Sequence, residues 1–341
     1  MTPSRLDELV SRFRALRVGV IGDFSLDRYF DIDPARAELS IETGLPVHNV
    51  TRVRCQPGAA GNIAQNLGAL GLAALWPIGY CGDDGEGFEL RRALLRAGRV
   101  DLAHFQQTSA RLTFTYSKPL LHIPGQPPAE LSRLDLKNWT PSPPAVDAAL
   151  IASLQALAPQ LDALIVMDQA GTPGAGVVNA PVLAAVTALA QAHPRLVIMA
   201  DSRHGLGNFP PLIFKMNAAE FALLTGRTEN QCQLIADIAA GAAELARRNR
   251  HAVFITLAER GIIGALPDAA AVHVPALPVH GPIDIVGAGD TVTATLTLAL
   301  AAGAELREAL ELAQAAASVV IHQLGTTGVA TAADLRGRLC P

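Results

Sequence analysis

The chain has 341 residues, half of them hydrophobic and 17% charged, with a net charge of −4. A charged fraction below the roughly 25% of ordinary soluble proteins points to a large buried core, and a slightly acidic balance offers no global positive field for nucleic acid. No uncharged apolar run approaches the roughly 20 residues of a membrane span.

Taken in chain order, Leu6, Leu9, Val10 and Phe13 fall on one face of an N-terminal stretch interrupted by arginines. That spacing predicts an amphipathic helix rather than a signal peptide. Residues 17–23 (RVGVIGD) read as a short buried strand ending in Gly-Asp, and 57–71 (PGAAGNIAQNLGALG) as a glycine-rich turn entering a helix. A strand and loop (AALWPIGYCGDD) and a helix from Gly87 to Ala97 follow. Further on come a strand at 161–168, a helix at 180–192, a strand at 195–203 and a helix at 217–226 closed by Gly226. Strands at 252–261 and in IIGAL precede two closing helices. Apolar strands alternating with helices imply a parallel sheet covered on both faces, with ligands at the strand ends where Asp23, Asp168 and Asp201 stand.

Two intervals break this rhythm. DRYFDID with LPVHNVTRVR (45–54), and RLTFTYSKPLLHI with AELSRLDL, alternate apolar and polar residues as half-exposed antiparallel strands do. They are expected to form one small sheet inserted in the main body, and NWTPSPPAVD a Pro-rich return to it. The face carrying Leu112, Phe114 and Tyr116 is expected to join two copies as a homodimer. Cys55, Cys81, Cys232 and Cys340 are scattered without C-x-x-C spacing, which argues against zinc or disulfides and suits a reducing cytoplasm.

The stretch DIVGAGDT (284–291) carries the chemistry. Amides of Gly287, Ala288 and Gly289 at a helix start make a cradle for a phosphate oxygen. Asp290 beside them reads either as a base that removes a hydroxyl proton or as a helix cap.

Gly22-Asp23, PGAAGN, Asn217-x-x-Glu220, TLAERG and DIVGAGDT occur in the order found in the ribokinase, or PfkB, family of sugar kinases, which the whole chain resembles. GDFSLDRYF, Ser40-x-Glu42 before Pro46-Val47, and AQAAASVVIHQLGTTGV look most like its heptose-phosphate kinase branch. The resemblance implies one ribokinase-like domain over 1–341, a Rossmann-like α/β/α core with a β-sheet lid from about 27–54 and 109–136, ATP as donor and Mg²⁺ as cofactor. It implies Asp290 as base and Gly287, Ala288 and Gly289 as anion hole. Asn217 and Glu220 match the pair that organises Mg²⁺ through water; the alternative is a capping box. Asp23, Asp27, Gly58 and Asn62 match the sugar site, although Asp27 has Arg28 and Arg54 as alternative partners. Thr256, Gly261 and Gln314 match the nucleotide side. Asp201 and Arg203 match a strand-end acid and the base after it, Arg203 being either a phosphate contact or a surface salt bridge. Asp284, with the turn at Gly325, matches a monovalent-cation region, so K⁺ is a further candidate.

The departures are Ala59 and Ala258 for glycines, Gln169 and Gly171 for a tyrosine and a lysine, Val286 for a threonine, and Glu38 for an arginine that would favour a phosphorylated sugar. The expectation is a kinase core with no adenylyltransferase domain after it, acting on a sugar or sugar phosphate. The alternatives are a sugar-binding or nucleotide-binding protein without turnover, and a nucleoside kinase.

Overall fold

The computed structural model describes residues 1–340, apart from the side chains at 229 and 230. Its centre is a nine-stranded sheet. Strands β1 (Arg17–Gly22), β6 (Ala74–Gly82) and β7 (Phe105–Thr108) run one way from the middle. Strands β11 (Ala163–Asp168), β12 (Val197–Ser202), β13 (Ile213–Asn217) and β14 (Val253–Thr256) are added in that order on the other side of β1. All seven are parallel, but β15 (Ile262–Ala265) and β16 (Val272–Val274) turn back antiparallel at one edge, so the expected all-parallel sheet is mixed. The turn-back follows from the short loop after Thr256, which leaves no room for the crossover that a parallel neighbour requires.

Both faces are covered, as apolar side chains on alternate sides of each strand demand. On β11, Ala163, Ile165 and Met167 join one core cluster, while Leu164 and Val166 join the other. The first cluster packs α1 (Pro3–Phe13), α2 (Ala60–Leu70), α3 (Gly85–Leu95), α8 (Ala288–Ala301), α9 (Leu306–Val320) and α10 (Ala332–Leu339). The second packs α4 (Pro144–Leu157), α5 (Ala180–Ala192), α6 (Ala218–Thr225) and α7 (Ile235–Asn249). Strands β7 and β13 and helices α4 and α7 go beyond the elements read from the sequence, and three helices close the chain where two are expected.

The second sheet draws its strands from both alternating intervals: β2 (Phe24–Ile32), β5 (Val50–Ala59), β8 (Phe114–Leu121), β9 (Ala129–Glu130) and β10 (Leu134–Leu136). An exposed hairpin, β3 (Glu38–Leu39) with β4 (Pro46–Val47), hangs between β2 and β5. Register assigns its faces. Asp27, Tyr29 and Asp31 of β2 stand opposite Gln56, Arg54 and Arg52 of β5 and opposite Tyr116, Lys118 and Leu120 of β8. That face turns to the main body, where Arg54 Nη1 donates to Gly325 O at 3.0 Å and Thr327 Oγ1 donates to Gln56 Oε1 at 2.9 Å. The other face presents Phe30, Ile32, Val53, Pro119 and Leu134. The expected dimer face is therefore corrected: Tyr116 points inward, Phe114 is buried against Tyr80 with ring centroids 6.2 Å apart, and the outer apolar surface belongs to alternate residues.

Candidate active site

Because the central strands are parallel, Asp23, Asp168, Asp201, Asn217 and Thr256 all arrive at one edge of the sheet. The chain order reverses between β1 and β11, where open α/β sheets leave a crevice. The start of α8 is laid over this edge. Four threonines on α8, at 291, 293, 295 and 297, are buried; Thr295 and Thr297 donate to the carbonyl four residues back, while Thr291 and Thr293 turn their single hydroxyl hydrogens to Asn66 Oδ1 and Asp201 Oδ2, so none is left unsatisfied.

The N-cap of α8 is Gly287, at φ 85 and ψ −6. A side chain there would be strained by that φ and would meet Asn62 Nδ2 at 2.6 Å, so glycine is required. Asp290 lies three residues inside the helix and bonds no backbone amide, which removes the cap reading. Its Oδ2 accepts from Asn62 Nδ2 at 2.7 Å. Asn62 is in turn fixed by Asn66, whose Oδ1 accepts from Thr291 Oγ1 at 2.9 Å. Burial pushes the Asp290 carboxyl up to about 6, with Asp201 adding to the rise and Asn62, Lys215 and Arg203 opposing it. Of the expected anion-hole amides, Ala288 N–H is drawn into a turn with Ile285 O at 3.2 Å. Among the described residues the amides of Gly287 and Gly289 have no acceptor, and neither has that of Asp290.

Asn217 and Glu220 form a complete capping box: Glu220 N donates to Asn217 Oδ1 at 2.9 Å and Asn217 N to Glu220 Oε2 at 2.8 Å. Burial raises the Glu220 carboxyl, and Oε1 keeps its lone pairs. Among the described residues no three His, Cys, Asp or Glu side chains converge on a metal position. A single half-buried carboxylate oxygen fits Mg²⁺ held through water and phosphate, since that ion keeps most of its waters. Arg203 makes no ion pair among the described residues, and its charge reaches both Asp290 and Glu220, so the surface salt bridge is not formed.

On the sugar side the structure supplies partners that the sequence reading lacked. Asp23 is 2% exposed, and its carboxylate accepts from the amides of Gln169, Ala170 and Val177 at 2.7–2.8 Å, so here it braces the loop after β11. Asp27 pairs with neither Arg28, which takes Glu86, nor Arg54, which takes Asp31; its Oδ2 meets Lys118 Nζ at 2.9 Å. Gly58 lies against Asp27 and Ser25. Lys118, absent from the residues singled out in the sequence, supplies the cation on this inner face. Glu38 sits on the exposed hairpin and accepts from Asn49.

On the nucleotide side, Thr256 Oγ1 is 3.4 Å from Met216 O, and Gly261 packs its α-carbon against the Val274 carbonyl as the turn into β15. Gln314 is buried on α9, and its side-chain amide makes no hydrogen bond among the described residues. Asp284 accepts from Val286 N at 3.0 Å and Gly325 N at 3.3 Å, which brings the two halves of the expected cation region together.

Comparison with solved structures gives the fold class. The ribokinase of Arabidopsis thaliana complexed with ribose and ATP superposes with a TM-score of 0.69 at 19% identity, covering 96% of this chain and 99% of that one. The phosphofructokinase-2 of Escherichia coli in complex with potassium gives 0.68 at 18% identity, covering 95% and 98%. The fold is ribokinase-like. In sequence, residues 175–332 match the family described as pfkB family carbohydrate kinase. The Bifunctional protein HldE of Nitrobacter hamburgensis is 32% identical over 338 residues, covering 98% of this chain and 66% of that protein. The Azotobacter vinelandii protein of the same name is 33% identical over 322 residues, covering 93% and 62%. The chain belongs to the pfkB family of carbohydrate kinases, and it spans about two thirds of the length of the curated relatives it matches.

Proposed function

We propose that this chain transfers the γ-phosphoryl group of ATP to a hydroxyl of a sugar or sugar phosphate, with Asp290 as general base. The observation that carries the reading is the start of α8: a half-buried carboxylate held by Asn62, its pKa lifted to about 6, beside amides with no acceptor. A base must hold little affinity for its proton at working pH and still accept one in the transition state, and a value near 6 meets both demands. The Gly287 and Gly289 amides face the oxygens of the transferred group, where fixed donors contribute most. Arg203 approaches the same charge. Asp27 and Lys118 orient the acceptor from the small sheet, which acts as a lid that keeps water from the phosphoryl group. Mg²⁺, when bound, neutralises phosphate charge, and Glu220 with Asn217 would hold it through water. Asp284 and the Gly325 turn are the proposed seat of K⁺. The outer apolar face of the lid, with Val53, Leu134 and the hairpin residues Leu39, Ile41 and Leu45 exposed, is proposed to pair two copies. Among the described residues no helix is long and apolar enough to cross a membrane.

A coupled ADP-release assay over sugars, sugar phosphates and nucleosides tests the reading. Turnover on a sugar or sugar phosphate supports it, turnover on nucleosides alone redirects it to another acceptor class, and binding without ADP release replaces it with a sensor.

A further inference from the structure

Strand β13 carries a lysine among the apolar residues Ile213, Phe214 and Met216. Lys215 is 6% exposed and surrounded by protein. An unpaired ammonium there would be costly. Its Nζ donates to Asp201 Oδ2 at 2.9 Å, and the same oxygen accepts from Thr293 Oγ1 at 2.6 Å. Three elements thus meet at one carboxylate: β12, β13 and the second turn of α8. Burial works against the charge of Lys215, but Asp201 holds its pKa above the ordinary lysine value, so the ammonium persists.

The position of that charge is telling. A methyl built on Gly289 would lie 3.2 Å from Lys215 Nζ, so the ammonium sits directly beneath the first turn of α8. Replacing a buried ion pair by apolar groups of similar volume is often neutral or stabilising, so stability alone is a weak reason for this one. We propose that Lys215 is a positioning residue for phosphoryl transfer: clamped by Asp201 and Thr293, it holds the start of α8 in place and keeps a positive charge under the Gly287–Gly289 cradle. The inference rests on the kinase reading above and extends it to a residue that no motif singled out. The charged groups around the pair are Asp290, Glu220 and Arg203.

The test is the double variant Lys215→Met/Asp201→Asn, which removes both charges together and leaves neither charge unpaired. With Mg²⁺ present, binding of ADP and of AMP-PNP is measured by calorimetry, and kcat and KM are measured on the best acceptor. The expected result is at least a tenfold loss in affinity for AMP-PNP relative to ADP, and a fall of about 10- to 100-fold in kcat with little change in acceptor KM. An unchanged ratio of the two nucleotides, or an equal loss for both, overturns the proposal, because a merely structural pair would not distinguish the third phosphate. If the double variant does not fold, Thr293→Val takes its place. With one bond fewer, Asp201 is less neutralised and repels Asp290 more, so the acid limb of the kcat profile moves to higher pH; an unmoved limb overturns the proposal. Absence of turnover by the wild-type chain on every acceptor sinks the kinase reading itself, and the nucleotide ratio still reads the role of Lys215.

Discussion

Replacing Asp290 by asparagine should move rate and stability in opposite directions. The carboxyl pKa rises from 3.8 to about 6 in the folded chain, chiefly through burial. The folded state therefore holds this proton more tightly than the unfolded one. Its favourable contribution is complete below the unfolded value of 3.8 and is lost as pH rises through about 6. At pH 7.5 the group is charged in both states, and the folded state bears the cost of a buried charge. At 1.36 kcal/mol per pH unit the full rise corresponds to about 3 kcal/mol. Half-burial screens part of it, leaving about 1–2 kcal/mol. Asparagine keeps the shape and can still accept from Asn62 Nδ2 through its own oxygen, so the variant should gain that amount at pH 7.5. In a chain of this size the gain is about 1–3 °C in Tm. The same change removes the proton acceptor, and general-base catalysis is worth about 10²–10⁴-fold. Thermal melts at pH 5 and 7.5, with ADP release measured alongside, read both effects. The variant should lose at least ~100-fold in kcat, gain stability at pH 7.5 and gain less at pH 5, while the wild-type kcat falls as pH drops below about 6. Near-normal turnover, or a loss of rate accompanied by a lower Tm at pH 7.5, refutes the assignment.

Ala59→Gly should raise stability by about 1 kcal/mol, since φ 52 with ψ −122 strains alanine by about 1–3 kcal/mol against a smaller entropy cost of glycine; Ala258→Gly, at φ 51, should gain less, and a Tm lowered by Ala59→Gly would contradict the strain argument. Asp27→Asn should raise KM for the acceptor at least tenfold and leave KM for ATP nearly unchanged, and equal changes in both would remove Asp27 from the sugar side. Val53→Glu with Leu134→Glu should convert a dimer to a monomer by light scattering at micromolar concentration; an unchanged mass would reject the outer face as the contact. Glu38→Arg should shift preference toward phosphorylated acceptors, and an unmoved preference would show that residue 38 does not read the phosphate.

Much of the fold can be read from local chemistry. Gly-Asp after an apolar run marks the end of β1, and Gly226 closes α6 in the left-handed conformation expected of a C-terminal glycine. What stays hidden in the sequence is partnership at long range. Asp27 and Lys118 are 91 residues apart, and only the parallel register of β2 with β8 brings them to one face. Lys215 looks like a surface lysine until Asp201 and Thr293 are seen around it. The expected dimer face fails for the same reason: alternation tells which residues share a side of β8, but the neighbours decide which side faces inward. Ala59 and Ala258, which stand where the family pattern has glycines, both adopt positive φ, a conformation that the residue names alone do not announce.

Asp23 has a mechanical meaning as well. No loop separates β1 from β2: one residue does. Its N–H donates to Met167 O at 3.1 Å, its carbonyl accepts from Ala60 N at 3.0 Å, and its carboxylate holds three amides of the loop after β11. Ala59, where β5 passes directly into α2, stands opposite Phe24, the residue after Asp23. Two of the strands that carry the small sheet out of the main body are therefore clamped side by side at their roots, and a third root, Thr113 just before β8, is held by Asp84 through its amide at 3.0 Å and its hydroxyl at 2.6 Å. A sheet mounted in this way cannot slide over the main body, because every root is tied to it by backbone or carboxylate hydrogen bonds. Asp27 lies two pleat repeats, about 13 Å, out from those roots, whereas the hairpin at 38–47 is the segment farthest along the chain from residues 23 and 59.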